Sequence, residues 1–470
     1  MTRLAGTALL ALVLACGCSA QDAPKPEGGK EPDRRPSVIF FIGDGMGMSQ
    51  LTLGRVGSQE LKRPYQFDRF ATIGLASTRS ANWVVTDSAA AATALASGIK
   101  TNNQTVGMSV DGKPVQTILE AAHAEGYATG LVTTTRITHA TPACFVAHVS
   151  ERDDEGPIAE QLLACATKQG YPQVFIGGGR RYFKEPARAE LEKAGYAVVT
   201  DPMALGAAKG TKLAGLLAES HYPFAIERPQ GSPDLAALTA KAVELLAATG
   251  QPFFLMVEGG RIDHAAHQHD APACLRDQLD LDGAIGWALD RVAADPKKLL
   301  VLCTADHATG DLGISETVKL DGLLAVKAST DAMVKDKLDP KDSAAMADFV
   351  ATVKAATGLE LTPDELSLIW REPPNSYWAR TALGHVISAR LGVHFYEPEM
   401  QEREHTNTHG HDGAMVGVFA SGAGHERFAG VYENNLIPQK ISEVMGFRLR
   451  DAVPAPGQPA SALAPAGAPR

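Results

Sequence analysis

The chain has 470 residues, with 44 Lys+Arg against 54 Asp+Glu and 14 His, for a formal net charge of −10. Hydrophobic residues make up 45% of it, which supplies a large core and excludes a disordered chain. The acidic balance argues against nucleic acid as the main partner, because phosphate backbones attract basic faces. The histidines are unevenly spread. His264, His267 and His269 form one cluster, and His405, His409 and His411 another.

Residues 1–15 (MTRLAGTALLALVLA) carry one early cation, Arg3, before an apolar run too short to span a bilayer as a stable helix. This pattern predicts an export signal over 1–18. Val13-Leu14-Ala15-Cys16 resembles a bacterial lipoprotein signal in which the Cys is acylated; Cys18 is nearby, and cleavage after Ala20 is the alternative. The expected location is therefore the periplasm or cell surface, anchored at Cys16, or a soluble exported form. Polar, Pro/Gly-rich residues 19–36 read as a tether, residues 37–450 as one catalytic domain, and Pro/Ala-rich 451–470 as a disordered tail.

Within the domain, short apolar runs end in polar residues. They begin at Ser37, Tyr127, Gln173, Phe253, Leu299 and Met415. Helical patterns lie between them, at 88–97, 115–125, 156–169, 234–248 and 273–293. Alternation of this kind predicts an α/β fold: a large, mostly parallel central sheet with helices on both faces. Ligand sites in such sheets lie at the C-terminal strand ends. Residues about 320–400 are helix-rich and read as an insertion, with Thr362-Pro363-Asp364-Glu365 as a helix start. Of the six cysteines, Cys144, Cys165, Cys274 and Cys303 lie in the domain. In an oxidising compartment they could pair; Cys144–Cys165 is the more local option, and Cys303 reads as a buried thiol.

The strand ends carry the chemistry. Asp263 and His267 are four apart and share one helix face, a carboxylate–imidazole pair suited to zinc. Glu258 precedes that helix, Asp306-His307 form a second pair, and Asp44 sits among Gly43, Gly45 and Gly47. Each alone fits an ordinary turn or solvated helix start. Together, four acids and at least two histidines on the ligand side point to a metal centre. Ser88 opens an Ala-rich helix after Asp87, where orphan N–H groups favour an anion; a plain N-cap is the competing reading. A nearby metal would favour Ser88 as a nucleophile.

The ordered set IGDGMG (42–47), TDSAAAATA (86–94), HATPA (139–143), EGGRIDHAAH (258–267) and TADH (304–307) resembles alkaline phosphatase from about residue 37 to 447. The resemblance implies a phosphoseryl intermediate on Ser88 and release of inorganic phosphate from a broad range of monoesters. It implies two zinc ions and one magnesium. Asp263, His267 and a C-terminal His resemble the first zinc's ligands; family register selects His411 over His409. Asp44, Asp306 and His307 resemble those of the second, which also activates Ser88. Asp44, Thr141 and Glu258 resemble the third site. Arg152, thirteen residues after His139, matches the phosphate-gripping Arg, and Asp87 its orienting neighbour. His139 and His264 stand where animal members have His, placing His139 behind the third ion and His264 near phosphate. His269 and His405 are expected at the rim or surface, Arg261 as a solvated or rim residue, and Gly177-Gly178-Gly179-Arg180 as a strand-exit turn. Expected partners are small phosphate monoesters, with a membrane met only through the anchor; a homodimer is left open. A phosphodiesterase or phosphonate hydrolase of the same superfamily is the alternative, disfavoured by Ser88 and Arg152.

Overall fold

A computed structural model of the chain describes residues 35–336, 338–371, 374–396, 408 and 410–449. The signal, Cys16, Cys18, most of the tether, His405, His409 and the tail 451–470 lie outside the described residues. The strands are β1 Ser37–Gly43, β2 Thr72–Ser77, β3 Ala128–Arg136, β4 Val174–Gly178, β5 Ala197–Val199, β6 Leu213–Leu216 and β7 Phe253–Gly259. They continue with β8 Leu299–Ala305, β9 Ala308–Thr309, β10 Gly313–Ile314, β11 Val393–His394, β12 His411–Asp412, β13 Val416–Gly422 and β14 Gly430–Glu433.

Ten of these make one sheet, in the order β14-β2-β13-β8-β1-β7-β3-β4-β6-β5. All its pairings are parallel except those of β13, which runs against β2 and β8. The continuous apolar runs of β1, β7 and β8 form its centre because helices cover both faces. Val38 to Ile42 are fully buried, and each such large side chain stabilises the fold by about 1.5–3 kcal/mol. The fold class matches the expectation from the sequence.

Register then fixes the site. Ile42 stands opposite both Glu258 and Thr304, and Gly43 opposite Gly259 and Ala305. Thr133 stands opposite Glu258. The C-terminal ends of β1, β7 and β8 are therefore level, so Asp44, Glu258 and Asp306 arrive side by side.

Helices form close to where periodicity places them: Ser88–Ser97, Ile118–Ala124, Glu155–Ala164, Leu235–Ala247 and Ala271–Ala294. The second starts later than the pattern suggests because Thr117 and Glu120 build a capping box. The third passes into a π-helical turn, Cys165–Gln169. The strands β2, β5, β6 and β14 carried no sequence signal; they are short, and β5 and β14 are the half-exposed sheet edges.

The described residues of 320–390 form five helices, Leu320–Ala325, Thr330–Met333, Ser343–Thr357, Pro363–Ile369 and Ser376–Arg390. Thr362 and Glu365 form the capping box their spacing predicts. The last helix braces the exit of the segment bearing His267. Ser388 Oγ donates to the His269 carbonyl at 2.7 Å and accepts from Ala271 N at 3.0 Å. Gly384 permits this approach: a Cβ there would lie 2.0 Å from the Gln268 carbonyl oxygen. Gly384→Ala is expected to destabilise the protein by about 1–3 kcal/mol and to lower activity with it. Thermal melts and activity of the variant check this; an unchanged melting temperature contradicts the bracing role.

Three expectations are corrected. Cys144, Cys165, Cys274 and Cys303 are all buried free thiols, so Cys144–Cys165 is not a disulfide. Cys144 Sγ instead donates to the Ala89 carbonyl at 3.2 Å, while Cys165 Sγ faces the Val146 carbonyl and the Tyr171 hydroxyl. His269 is not at the rim but fully buried, stacked on Phe395 with ring centroids 4.8 Å apart. Arg261 lines a cleft, as a rim residue would, but is not solvated: its guanidinium lies 3.5 Å over the Phe224 ring and donates to His264 Nδ1 at 2.7 Å. Gly177–Gly179 is the strand-exit turn expected, with Gly179 left-handed and Arg180 donating to Glu219 and the Thr200 carbonyl. No helix among the described residues is long and apolar enough to cross a membrane.

Candidate active site

Ser88 opens the buried helix Ser88–Ser97, whose N-cap is Asp87. The two oxygens of Asp87 do different work. Oδ1 accepts from Ala90 N at 2.9 Å and caps the helix. Oδ2 accepts from Gln104 N at 3.0 Å and from Arg152 Nη1 at 3.1 Å. One carboxylate thus fixes both the helix start and the guanidinium beside it. Arg152 Nη2 reaches His139 Nε2 at 3.4 Å.

The acids converge as the register requires. Asp44, Glu258 and Asp306 are fully buried. Gly45 N donates to Asp306 Oδ1 at 3.2 Å. Gly45 has φ +68°, and a Cβ there would meet Asp263 at 2.8 Å, so only glycine lets β1 turn under the Asp263 helix. Thr141 donates to Asp44 Oδ2 at 3.4 Å. Thr133 and Thr135 both donate to Glu258 Oε2, the latter at 3.1 Å.

Hydrogen bonds settle two histidine tautomers. Thr309 gives its hydroxyl proton to Asp263 Oδ1 at 2.7 Å, so its oxygen can only accept from His307 Nδ1 at 3.1 Å. The bare Nε2 of His307 therefore faces Ser88 Oγ at 3.1 Å, and Asp44 and Asp306 oxygens at 3.5 Å each. His411 Nδ1 donates to the Thr86 carbonyl at 2.9 Å. Its bare Nε2 then lies 3.1 Å from His267 Nε2 and 3.7 Å from Asp263 Oδ1. His267 Nε2 is 3.3 Å from the second Asp263 oxygen.

The donor set fits metal ions. Three groups offer one ligand atom per residue within 4.8 Å of one another: Asp263, His307 and His411; Asp44, His139 and Glu258; Asp44, Asp306 and His307. Asp44 Oδ1, Glu258 Oε1 and Asp306 Oδ2 are buried with no hydrogen-bond partner among the described residues. Orphan acceptors and bare imidazole nitrogens sharing one dry site call for cations between them. Titration reflects the same shortage of positive charge. Burial and the neighbouring carboxylates of Asp306, Asp263 and Glu258 push Asp44 well up. Burial above all lifts Glu258 and Asp306 to about 7. It lowers His307 to about 4. Burial also works against the Asp263 carboxylate, but the adjacent His267, His411 and His307 hold it well below its usual range.

Above this floor lies a cleft of about 760 Å³ whose walls include Arg152, His264, His267, His411, Asp331 and Tyr377. Of the site residues expected from the sequence, Asp87, Arg152, His264, His267 and His411 line it, and Asp44, Ser88, His139, Thr141, Glu258, Asp263, Asp306 and His307 are joined to one another and to these by the contacts above. His139 stands closer than expected, offering a nitrogen to the Asp44–Glu258 group. The sequence reading missed Thr309, Thr133, Thr135 and His221. Thr133 and Thr135 could have been found, since Thr133 ends a predicted strand and Thr135, in the Thr-rich stretch after it, continues its alternation towards one face. His221, whose ring centroid is 4.3 Å from that of His264, follows no motif.

The alkaline phosphatase family model matches residues 36–447. Alkaline phosphatase 3 of Bacillus subtilis (strain 168) is 32% identical over 458 residues, covering 93% of this chain and 95% of that protein. The cold-active alkaline phosphatase of the psychrophile Shewanella sp. superposes with a TM-score of 0.75 at 30% identity, over 87% of this chain and 99% of that one. A histidine-to-aspartate mutant of the TAB5 alkaline phosphatase, with Mg bound in its M3 site, superposes with a TM-score of 0.63 at 29% identity, over 88% and 99% of the two chains. With a matching sheet, a matching order of motifs and metal-ligand groups at the strand ends, the chain belongs to the alkaline phosphatase family and is a phosphoric monoester hydrolase.

Proposed function

We propose that the enzyme hydrolyses phosphate monoesters through a phosphoseryl intermediate on Ser88, with two zinc ions and a magnesium-type ion. The observation that carries this reading is the place of Ser88. Its hydroxyl lies at a buried helix N-terminus, 3.1 Å from the bare Nε2 of His307 and beside the acid cluster. Asp263, His267 and His411, whose facing atoms lie 3.1–3.7 Å apart, would hold one zinc; Asp44, Asp306, His307 and Ser88 the second; Asp44, Thr141 and Glu258 the third ion, with His139 at hand. When bound, such ions supply positive charge that lowers a hydroxyl pKa and neutralises the phosphoryl oxygens.

The chain's own residues then have defined tasks. The Arg152 fork grips two phosphoryl oxygens, and Asp87 holds that fork in place. The helix N-terminus at Ser88 favours the same anion. Ser88 Oγ attacks phosphorus: an Oγ–P bond forms, the ester P–O bond breaks, and the alcohol leaves. Water then cleaves the Oγ–P bond and inorganic phosphate departs. His264 faces the phosphate from the cleft wall, held by Arg261.

A comparison of esters tests the reading. An aryl phosphate monoester is expected to turn over faster than its diester, because a monoester dianion spreads two charges over three unesterified oxygens, whereas a diester has only two such oxygens and one charge. Arg152→Ala is expected to raise the inhibition constant for phosphate and to lower monoester kcat/KM by about 10²-fold, with zinc content near normal. The monoester preference should shrink with it. Faster diester turnover by the natural enzyme, or loss of zinc from the variant, contradicts the assignment.

Export belongs to the same proposal. Arg3, the apolar run 4–15 and the Ala15-Cys16 junction support a lipid-anchored enzyme outside the cytoplasm. Labelled palmitate should be incorporated in bacteria and lost in Cys16→Ser; label retained in that variant would refute Cys16 as the anchor.

A further inference from the structure

Arg152 sits on an arch that little else supports. Val149 is pinned to Val106 by two backbone bonds of 3.0 Å, and Arg152 N donates to the Gln104 carbonyl at 2.8 Å. Ser150, Glu151, Asp153 and Asp154 are exposed. The next firm anchor is Glu155, the first residue of the helix Glu155–Ala164 and itself buried. Its carboxylate receives the Arg136 Nε at 2.9 and 2.8 Å and lies 2.7 Å from Arg136 Nη2. Thr138 donates to it as well, and the exposed Arg181 guanidinium stands 4.0 Å away. Arg136 ends β3 and is fixed in turn by His221, which contacts both its backbone N and its Nη1. The chain from Arg136 runs directly through Thr138 and His139 to Thr141.

From this geometry we infer that the Glu155–Arg136–Thr138 bridge is a positioning device for Arg152, locking the phosphate-gripping arch to the strand end that carries His139 and Thr141. The inference rests on the reading of Arg152 as the phosphate grip. A guanidinium–carboxylate fork fixes direction as well as distance, and it lies three residues from Arg152. If the fork is loosened, the arch keeps its Val106 and Gln104 backbone bonds and the contacts of Arg152 with Asp87 and His139. A displacement of about 1 Å in a group that orients substrate can cost about 10²-fold in rate.

The test is a double-mutant cycle on the full metal-loaded enzyme, read by inhibition by inorganic phosphate, by kcat and KM separately, by zinc content and by melting temperature. Glu155→Gln keeps the shape and removes the charge. It is expected to raise the phosphate inhibition constant and KM about tenfold while zinc content stays unchanged. In an Arg152→Ala background the same substitution should have no further effect on phosphate inhibition, while its effect on melting should be the same in both. Thr138→Val, which removes one bond only, should act in the same direction and more weakly. Equal losses in both backgrounds, or an unchanged phosphate inhibition constant in Glu155→Gln, would overturn the inference. If Arg152→Ala alone leaves phosphate inhibition unchanged, the reading of Arg152 itself fails instead.

Discussion

Replacing Ser88 with alanine is expected to lower monoester turnover by on the order of 10³-fold or more, with the metal content and the fold retained. The size follows from the role: a nucleophile has no substitute, and only a slow direct attack by water would remain. Retention follows from the geometry. Ser88 contributes one hydroxyl to a group that Asp44, Asp306 and His307 already define. It is not the helix cap; Asp87 is. Alanine is also the best helix former, and the next four residues are already alanine. Metal analysis and a melt of the variant, beside its activity, check the prediction. Near-normal turnover would show that Ser88 is not the group attacked, and loss of both metal and stability would show that it is mainly structural.

Chelation is expected to abolish activity and to lower the melting temperature by roughly 5 °C or more, with both restored by zinc and magnesium together. The stability loss should depend on pH. In metal-free protein, burial and like charge raise Glu258 and Asp306 to about 7, and Asp44 well above its ordinary value. Raised carboxyls contribute stability fully below their unfolded values near 4, and lose it as pH rises through the folded values. The metal-free protein should therefore be weaker at pH 8 than at pH 6, and the metal-dependent gain in melting temperature larger at pH 8. Calorimetry with and without chelator at the two pH values decides it. An equal gain at both, or full activity in metal-free protein, would contradict the assigned ligands.

Much of the site was legible because its residues sit where local pattern is strong. VIFFIG, FFLMVEG and LLVLCTA are unbroken apolar runs, and each is followed or ended by an acid. Asp263 and His267 announce themselves by helical spacing. What could not be read is non-local. That Asp44, Glu258 and Asp306 stand level depends on the register of three strands drawn from distant parts of the chain. Thr309 fixes the His307 tautomer only because the turn after β8 folds it onto Asp263. Arg261 and His269 looked like surface residues because charge and polarity normally mean exposure. Both are buried by partners that come from elsewhere: Phe224 under one, Phe395 against the other. The Cys144–Cys165 option, left open by the sequence, failed for a similar reason, since closeness in sequence does not aim two thiols at each other. Of the four strands without a signal, β5 and β14 are sheet edges, which need neither length nor an apolar run, and β2 and β6 are interior but too short or too mixed in polarity to stand out.

The most direct test is to find the phosphoryl group on the enzyme. The protein is mixed with an aryl phosphate monoester, quenched in acid within one turnover, digested with trypsin and fragmented by mass spectrometry. The peptide Ser80–Lys100 also contains Ser80, Thr86, Thr93 and Ser97, so fragmentation can place the group on one hydroxyl. A phosphoryl adduct on Ser88, absent in Ser88→Ala and lost on further incubation, is the predicted result. No adduct at any quench time, or an adduct on another of these hydroxyls, would contradict Ser88 as the nucleophile.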